Sequence, residues 1–350
     1  MQPVGIIGAS GYAGIEAARI LAFHPDAELR LLASDRWQGD PASERIGLGG
    51  PAGSLRYAAQ EHALDLARSC AAVLLATPAD VSLRLAPLLL QAGVRVVDLS
   101  GAFRLRDPAA FRHHYGVEHT HPGLLTEAFY GLPELSRAPA GTRLVANPGC
   151  YPTAAALALA PLLQAGLLAG EGIVIDAASG TTGAGRKATE DLSFAEVDED
   201  FRAYRVLRHQ HTPEIAQTLA GAAGRGVALT FTPHLLPVRR GILSTAYARL
   251  APGRSPAEVT AALTHKYAGS PFVRVLRAPD DVNLRSVVGT NRCDLAVACD
   301  PAGADPGRVV VVSAIDNLVK GAAGQAVQNL NLIMGWPETS GLTTLRGFHP

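Results

Sequence analysis

The spacing of apolar and polar residues divides this chain into two halves of different character. In the first half, residues 4–7, 28–33, 71–76 and 94–99 form short, predominantly aliphatic runs, as expected of parallel strands buried on both faces. Leucines recur at helical spacing over 81–92, between two of these runs, and predict a crossover helix. Residues 15–21 repeat the helical pattern after the first run, which gives strand, glycine loop, helix and strand at the start of the chain. A further strand at 143–146 leads into NPGCYPT and a long Ala/Leu helix starting near Pro152.

Beyond about residue 170 the pattern changes. Residues 173–177, 227–233, 242–250, 272–276, 293–299 and 308–314 read as closely spaced strands, and 256–267 is the clearest helix among them. A mixed, largely antiparallel sheet fits this half. The chain then runs through 317–335, NLVKGAAGQAVQNLNLIMG, which reads as one helix despite its glycines. We expect an α/β doubly wound domain over 1–149 joined by about 318–350, and an α+β domain over 150–317.

Composition narrows the function classes. The 350 residues carry 31 basic and 31 acidic side chains, so no cationic excess is available for a nucleic-acid backbone. With 48% hydrophobic and 18% charged residues the chain is too apolar to be disordered. The stretch 151–170 is apolar, but its prolines, interior Gln and many alanines suit a buried helix better than a membrane span. The N-terminal strand has no basic region before it, and Cys70, Cys150, Cys293 and Cys299 are scattered without a CxxC pair. These features predict a reduced, cytoplasmic protein that binds neither membrane nor nucleic acid and carries no thiolate metal site.

Candidate chemistry starts at the glycine loop, Gly8-Ala9-Ser10-Gly11-Tyr12-Ala13-Gly14. Between a strand and a helix, this pattern suits a pyrophosphate at the helix N-terminus. At the end of the second strand stand Ser34, Asp35 and Arg36. The acid suits the ribose hydroxyl of NAD, whereas Ser34 and Arg36 suit the 2′-phosphate of NADP, to which the reading leans.

Cys150 lies between a Pro-Gly turn and a helix, where the positive helix end lowers a thiol pKa and favours the nucleophilic thiolate. Cys70, Cys293 and Cys299 sit in apolar segments and read as core residues. A thiolate nucleophile needs a proton partner, and Arg208-His209-Gln210-His211-Thr212-Pro213-Glu214 offers two histidines with a carboxylate to orient one. No third ligand of suitable type completes a metal site there. His113, His114, His119 and His121 read as solvated loop residues. Arg104, Arg186-Lys187 and Arg239-Arg240 are candidate anion binders.

Together VANPGCYPTAAALALAP, GASGYAG, HQHTPEI, FTPHLLPVRRGILS, VVVVSAIDNLVKGAAGQAVQN and the ETSGL tail resemble the N-acetyl-γ-glutamyl-phosphate reductases of arginine biosynthesis, in the same order and across nearly the whole chain. Single motifs are shared with aspartate-semialdehyde dehydrogenases. The resemblance implies a Rossmann domain, a dehydrogenase-like α+β domain, NADP(H), and reduction of an acyl phosphate to an aldehyde through a Cys150 thioester. It implies His209 as acid/base with Glu214 orienting it, and His211 as the close rival. It places Gly8, Ser10, Gly11, Tyr12, Ala13, Gly14, Ser34, Arg36, Thr77, Pro78, Ser179, Gly180 and Asn317 near the cofactor. Arg104, Asn147, Lys187, His211 and Arg240 would face the substrate, and a homodimer or homotetramer is expected. Aspartyl phosphate or a carrier-bound aminoadipyl phosphate is the alternative substrate. The sequence departs from the family pattern at Gly101-Ala102, where Ala-Asp is usual.

Overall fold

The computed structural model describes residues 1–300, 305 and 307–343, in two compact units. Among the described residues one comprises 1–149 with 322–343, and the other the remainder of 150–321.

The first unit is built on strands β1 (Gln2–Ile7), β2 (Ala27–Ala33), β3 (Ala72–Leu75), β4 (Arg95–Asp98), β5 (Phe129–Tyr130) and β6 (Leu144–Ala146). They form a six-stranded sheet in the order β2-β1-β3-β4-β6-β5, parallel throughout. β3 and β6 are buried at every position, which is why their sequences read as unbroken apolar runs. On one side a core of Ile7, Val73, Leu75, Val96, Phe103 and Phe111 fills the space under the helices Ala79–Gln91 and Pro108–Tyr115.

The helix Gly324–Met334 belongs to this unit and packs on Tyr12–Leu21. His24 ties it down: Nε2 donates to Asn331 Oδ1 over 2.9 Å, while Nδ1 accepts the Asp26 and Ala27 backbone N–H groups. The expected single helix over 317–335 is two pieces. A π-helical turn, Val319–Ala323, precedes the α-helix.

The second unit is built on β7 (Ile173–Gly180), β8 (Arg202–Ala203), β9 (Leu229–Leu236), β10 (Ile242–Arg249), β11 (Val273–Val275), β12 (Cys293–Cys299) and β13 (Arg308–Ile315). Its seven-stranded sheet runs β11-β12-β13-β10-β7-β9-β8. The β11–β12 and β7–β9 pairs are parallel and the others antiparallel. Side chains alternate cleanly. Ile175, Phe231, Ala246 and Val311 are buried, and Val174, Thr232, Tyr247 and Val310 between them are half-buried.

The helix Cys150–Gln164 packs on β10 and β13 and is buried from Tyr151 to Leu163, all the way round. That explains its apolar sequence without a bilayer, and no described helix is long and apolar enough to cross a membrane. It begins at Cys150, ahead of the expected start near Pro152. Pro152 fits inside the first turn because N–H groups there have no intrahelical partner to lose.

Two other expectations change. His119 is not a solvated loop residue: it is 7% exposed, donates from Nε2 to Ala102 O, and sits edge-on to Phe103 and Phe111. His113 and His114 lie on the helix Pro108–Tyr115. Cys70 and Cys293 are buried as expected, whereas Cys299 is only half-buried.

Candidate active site

In the first unit the glycine loop divides its labour. Gly8 has φ +89°, and a Cβ there would meet Ala76 O at 2.3 Å. A Cβ on Gly14 would meet Gly8 O at 2.5 Å, so both glycines are required by close packing. Gly11 is uncrowded, its nearest contact being 3.5 Å away. As N-cap of Tyr12–Leu21 it supplies no side chain to the free N–H groups of the first turn. An open, uncapped helix start beside a tight glycine turn fits a pyrophosphate.

Around it, Ser34 Oγ donates to Ser10 Oγ over 2.7 Å, fastening the loop to the end of β2. Asp35 Oδ1 accepts the Gln60 N–H over 2.7 Å at the start of the helix Gln60–Ala67, while Arg36 is exposed. Thr77 Oγ1 bonds Ser82 Oγ, and Pro78 caps the helix Ala79–Gln91.

Arg104 and Asn147 hold this unit's sheet end together. Arg104 is 7% exposed and donates to Leu99 O and Asn147 O. The fully buried Asn147 amide donates to Ala322 O and accepts from Asn329. Asp98, also buried, accepts from the Ser100 N–H and hydroxyl, and burial raises its pKa. At the departure from the family pattern, a Cβ on Gly101 would lie 2.2 Å from the Tyr115 ring.

In the second unit, Cys150 is half-buried at the first position of its helix. The adjoining Tyr151 is the hub of an aromatic cluster, with its ring edge-on to His209, His211 and Phe231. Its hydroxyl meets that of Tyr204 at 3.0 Å. The Tyr204 phenol is pushed up to about 12, first by burial and further by the charge of Cys150. His209 is 5% exposed, and its Nδ1 accepts the His211 N–H over 3.1 Å. Burial, reinforced by Arg205, lowers its pKa to about 4. Glu214 is fully buried in the first turn of the helix Thr212–Ala223, for which His211 is the N-cap.

Asp316 is a second hub in this unit. Fully buried, it accepts from Arg240, Gly289 N, Leu318 N and Val319 N. Asn317 beside it accepts the Gly241 N–H and donates to Thr182 Oγ1. Gly180 lets the 239–240 backbone approach, since a Cβ would meet Arg240 N at 2.7 Å. Ser179 is 3% exposed and Lys187 is exposed.

Sequence reasoning missed Tyr151, Tyr204 and Asp316. Tyr151 and Asp316 lie inside recognised motifs and Tyr204 five residues before HQHTPEI, but nothing in spacing marks them out.

These features define a dehydrogenase class. Residues 3–141 match the semialdehyde dehydrogenase NAD-binding domain and 150–317 the semialdehyde dehydrogenase dimerisation domain. Aspartate semialdehyde dehydrogenase II from Vibrio cholerae superposes with TM-score 0.74 at 18% identity, covering 96% of this chain and 99% of that one. The enzyme from Candida albicans, solved with NADP, gives 0.69 at 16% identity, covering 95% and 98%. The first unit is accordingly a nicotinamide-cofactor domain. At the sequence level the chain is 46% identical to the N-acetyl-gamma-glutamyl-phosphate reductase of Symbiobacterium thermophilum, over 99% of both chains. It is 47% identical to that of Pelotomaculum thermopropionicum, over 97% of both. The chain belongs to the N-acetyl-γ-glutamyl-phosphate reductase family.

Proposed function

We propose that this protein reduces N-acetyl-γ-glutamyl phosphate to N-acetylglutamate 5-semialdehyde and phosphate, with NADPH as reductant and Cys150 as nucleophile. The observation that carries the reading is Cys150 at the first position of a buried helix, beside the Tyr151–His209–His211 cluster, in a chain 46% identical to reductases of that name. The Cys150 sulfur bonds to the γ-carbonyl carbon as the bond to phosphate breaks, leaving a thioester. When bound, NADPH supplies the hydride that reduces the thioester carbon. The resulting alkoxide collapses, releasing aldehyde and returning the thiolate.

His209 is the hydrogen-bond donor that faces the reacting oxygen. A neutral ring whose Nδ1 accepts a backbone N–H carries its proton on Nε2, which is then a donor to oxygen as negative charge develops. His211 is the rival for that role, and Glu214, buried in the first turn of the helix that His211 caps, would orient one of the two rings. Lys187, the exposed cation of the set, meets the leaving phosphate. Arg104 and Arg240 already donate to Leu99, Asn147 and Asp316, and support the surrounding backbone.

Gly8, Gly11, Gly14, Tyr12 and Ala13 would hold the cofactor pyrophosphate, and Ser34 with Arg36 the 2′-phosphate. One oxygen of Asp35 is held by the Gln60 N–H, and the lean to NADP over NAD rests on Ser34 and Arg36. Ser179, Gly180 and Asn317 would serve the nicotinamide end. A homodimer or homotetramer is supported by the half-buried row Val174, Tyr247 and Val310, an apolar sheet face for a second copy to cover.

Phosphate-dependent NADP+ reduction with N-acetylglutamate semialdehyde tests the reading, against aspartate semialdehyde and against NAD+. Preference for aspartate semialdehyde would overturn the substrate assignment, and preference for NAD+ the cofactor assignment.

A further inference from the structure

The π-helical turn Val319–Ala323 comes up against Cys150 at Gly321. A Cβ on Gly321 would stand 2.7 Å from the Cys150 Cβ, 3.1 Å from its Cα and 3.3 Å from Asp316 O. The first distance is shorter than real Cβ atoms approach, so a side chain there would have to displace the backbone on one side or the other. Neither side yields easily.

Cys150 opens a helix whose residues from Tyr151 to Leu163 are all buried. The turn is anchored by Gly321 N–H to Asp316 O over 2.9 Å, with the Leu318 and Val319 N–H groups on the Asp316 carboxylate. Lys320 is fully buried, its Nζ 5.6 Å from the centre of the Phe272 ring. The glycine is not demanded by backbone conformation, because Gly321 is absent from the positive-φ glycines. It is also a poor helix former. The close approach to Cys150 is what requires it.

We propose that Gly321 is a positioning residue for the nucleophile: its missing side chain sets where the Cα–Cβ bond of Cys150 lies and so aims the thiol. A wide turn serves this purpose because the extra residue of a π-turn brings one backbone position forward without breaking the helical path. The role in catalysis rests on the reading of Cys150 as nucleophile; the contact does not.

The test uses the full chain with Gly321→Ala, Cys150→Gly and the double variant. Gly321→Ala should lower Tm by about 5 °C. It should also slow iodoacetamide modification of Cys150 at pH 7, followed on its peptide, by about tenfold. In the same variant kcat falls by a similar factor while the KM for NADPH is unchanged. Cys150→Gly removes the opposing Cβ, so adding Gly321→Ala to it should cost no more than about 1 °C.

Equal Tm losses in both backgrounds, or unchanged alkylation and kcat in Gly321→Ala, would overturn the proposal. If Gly321→Ala alone does not fold, the double variant decides: folding supports the contact, and failure refutes it. A wild-type chain without reductase activity would sink the proposed reaction, yet Tm and alkylation would still report on the contact.

Discussion

The His211 backbone N–H donates to Nδ1 of His209 over 3.1 Å, and this one bond decides the tautomer of the buried ring. Two histidines two residues apart therefore do different work. His209 presents Nε2–H, while His211 contributes its backbone to that arrangement and its ring to the Tyr151 cluster.

The first prediction follows from that division. His209→Ala should lower kcat by about 10²–10⁴-fold, and His211→Ala by less. Steady-state kinetics on both variants decide it; the reverse order would move that role to His211.

Cys150→Ser should abolish semialdehyde formation and leave NADPH binding intact, since the glycine loop lies in the other unit. Cofactor fluorescence titration and the coupled assay measure the two properties separately. Normal turnover by this variant would remove Cys150 from the mechanism.

Stability should fall with acidification through a window set by buried neutral histidines. Burial lowers the pKa values of His24, His119 and His209, the last to about 4, so protons bind the unfolded chain first. Their contribution is complete above an unfolded value near ~6.5 and is lost as pH falls below it; for His209 the loss runs on towards about 4 and is on the order of 3 kcal/mol. Urea midpoints should be lower at pH 5 than at pH 7.5. An unchanged midpoint would contradict the assignment of these rings as neutral.

Asp316→Ala should destabilise the second unit by about 3–5 kcal/mol, because Arg240 and three backbone N–H groups lose a buried acceptor together. Equilibrium urea unfolding gives the value. A loss under about 1 kcal/mol would mean that water replaces the carboxylate.

Arg36→Ala should raise the KM for NADPH about tenfold and leave that for NADH nearly unchanged. Asp35→Ala should weaken the start of the helix Gln60–Ala67 and leave the ratio of the two cofactors alone. A change of preference in Asp35→Ala would return that acid to the cofactor.

What the sequence revealed depended on which force shaped each element. β3, β6 and the Cys150–Gln164 helix are buried on all sides, so hydrophobicity alone marks them. Helix Pro256–Tyr267 was legible to the residue because Ser255 and Glu258 form a capping box ahead of an apolar stripe. The π-turn was not legible, and neither was the approach of Gly321 to Cys150, which comes from far along the chain. His119 was misjudged because polar neighbours in sequence conceal Phe103 and Phe111 in space. Tyr204 and Asp316 owe their places to tertiary hydrogen bonds that leave no periodic trace.

The Tyr115 ring occupying the space beside Gly101 constrains how this sequence can change. A step from Gly101 to the Ala usual in the family requires the half-buried Tyr115 ring to turn aside. The two positions are therefore coupled, because what residue 101 can carry depends on where the ring at 115 rests. A relative's loop placed here would repack that ring on the helix Pro108–Tyr115.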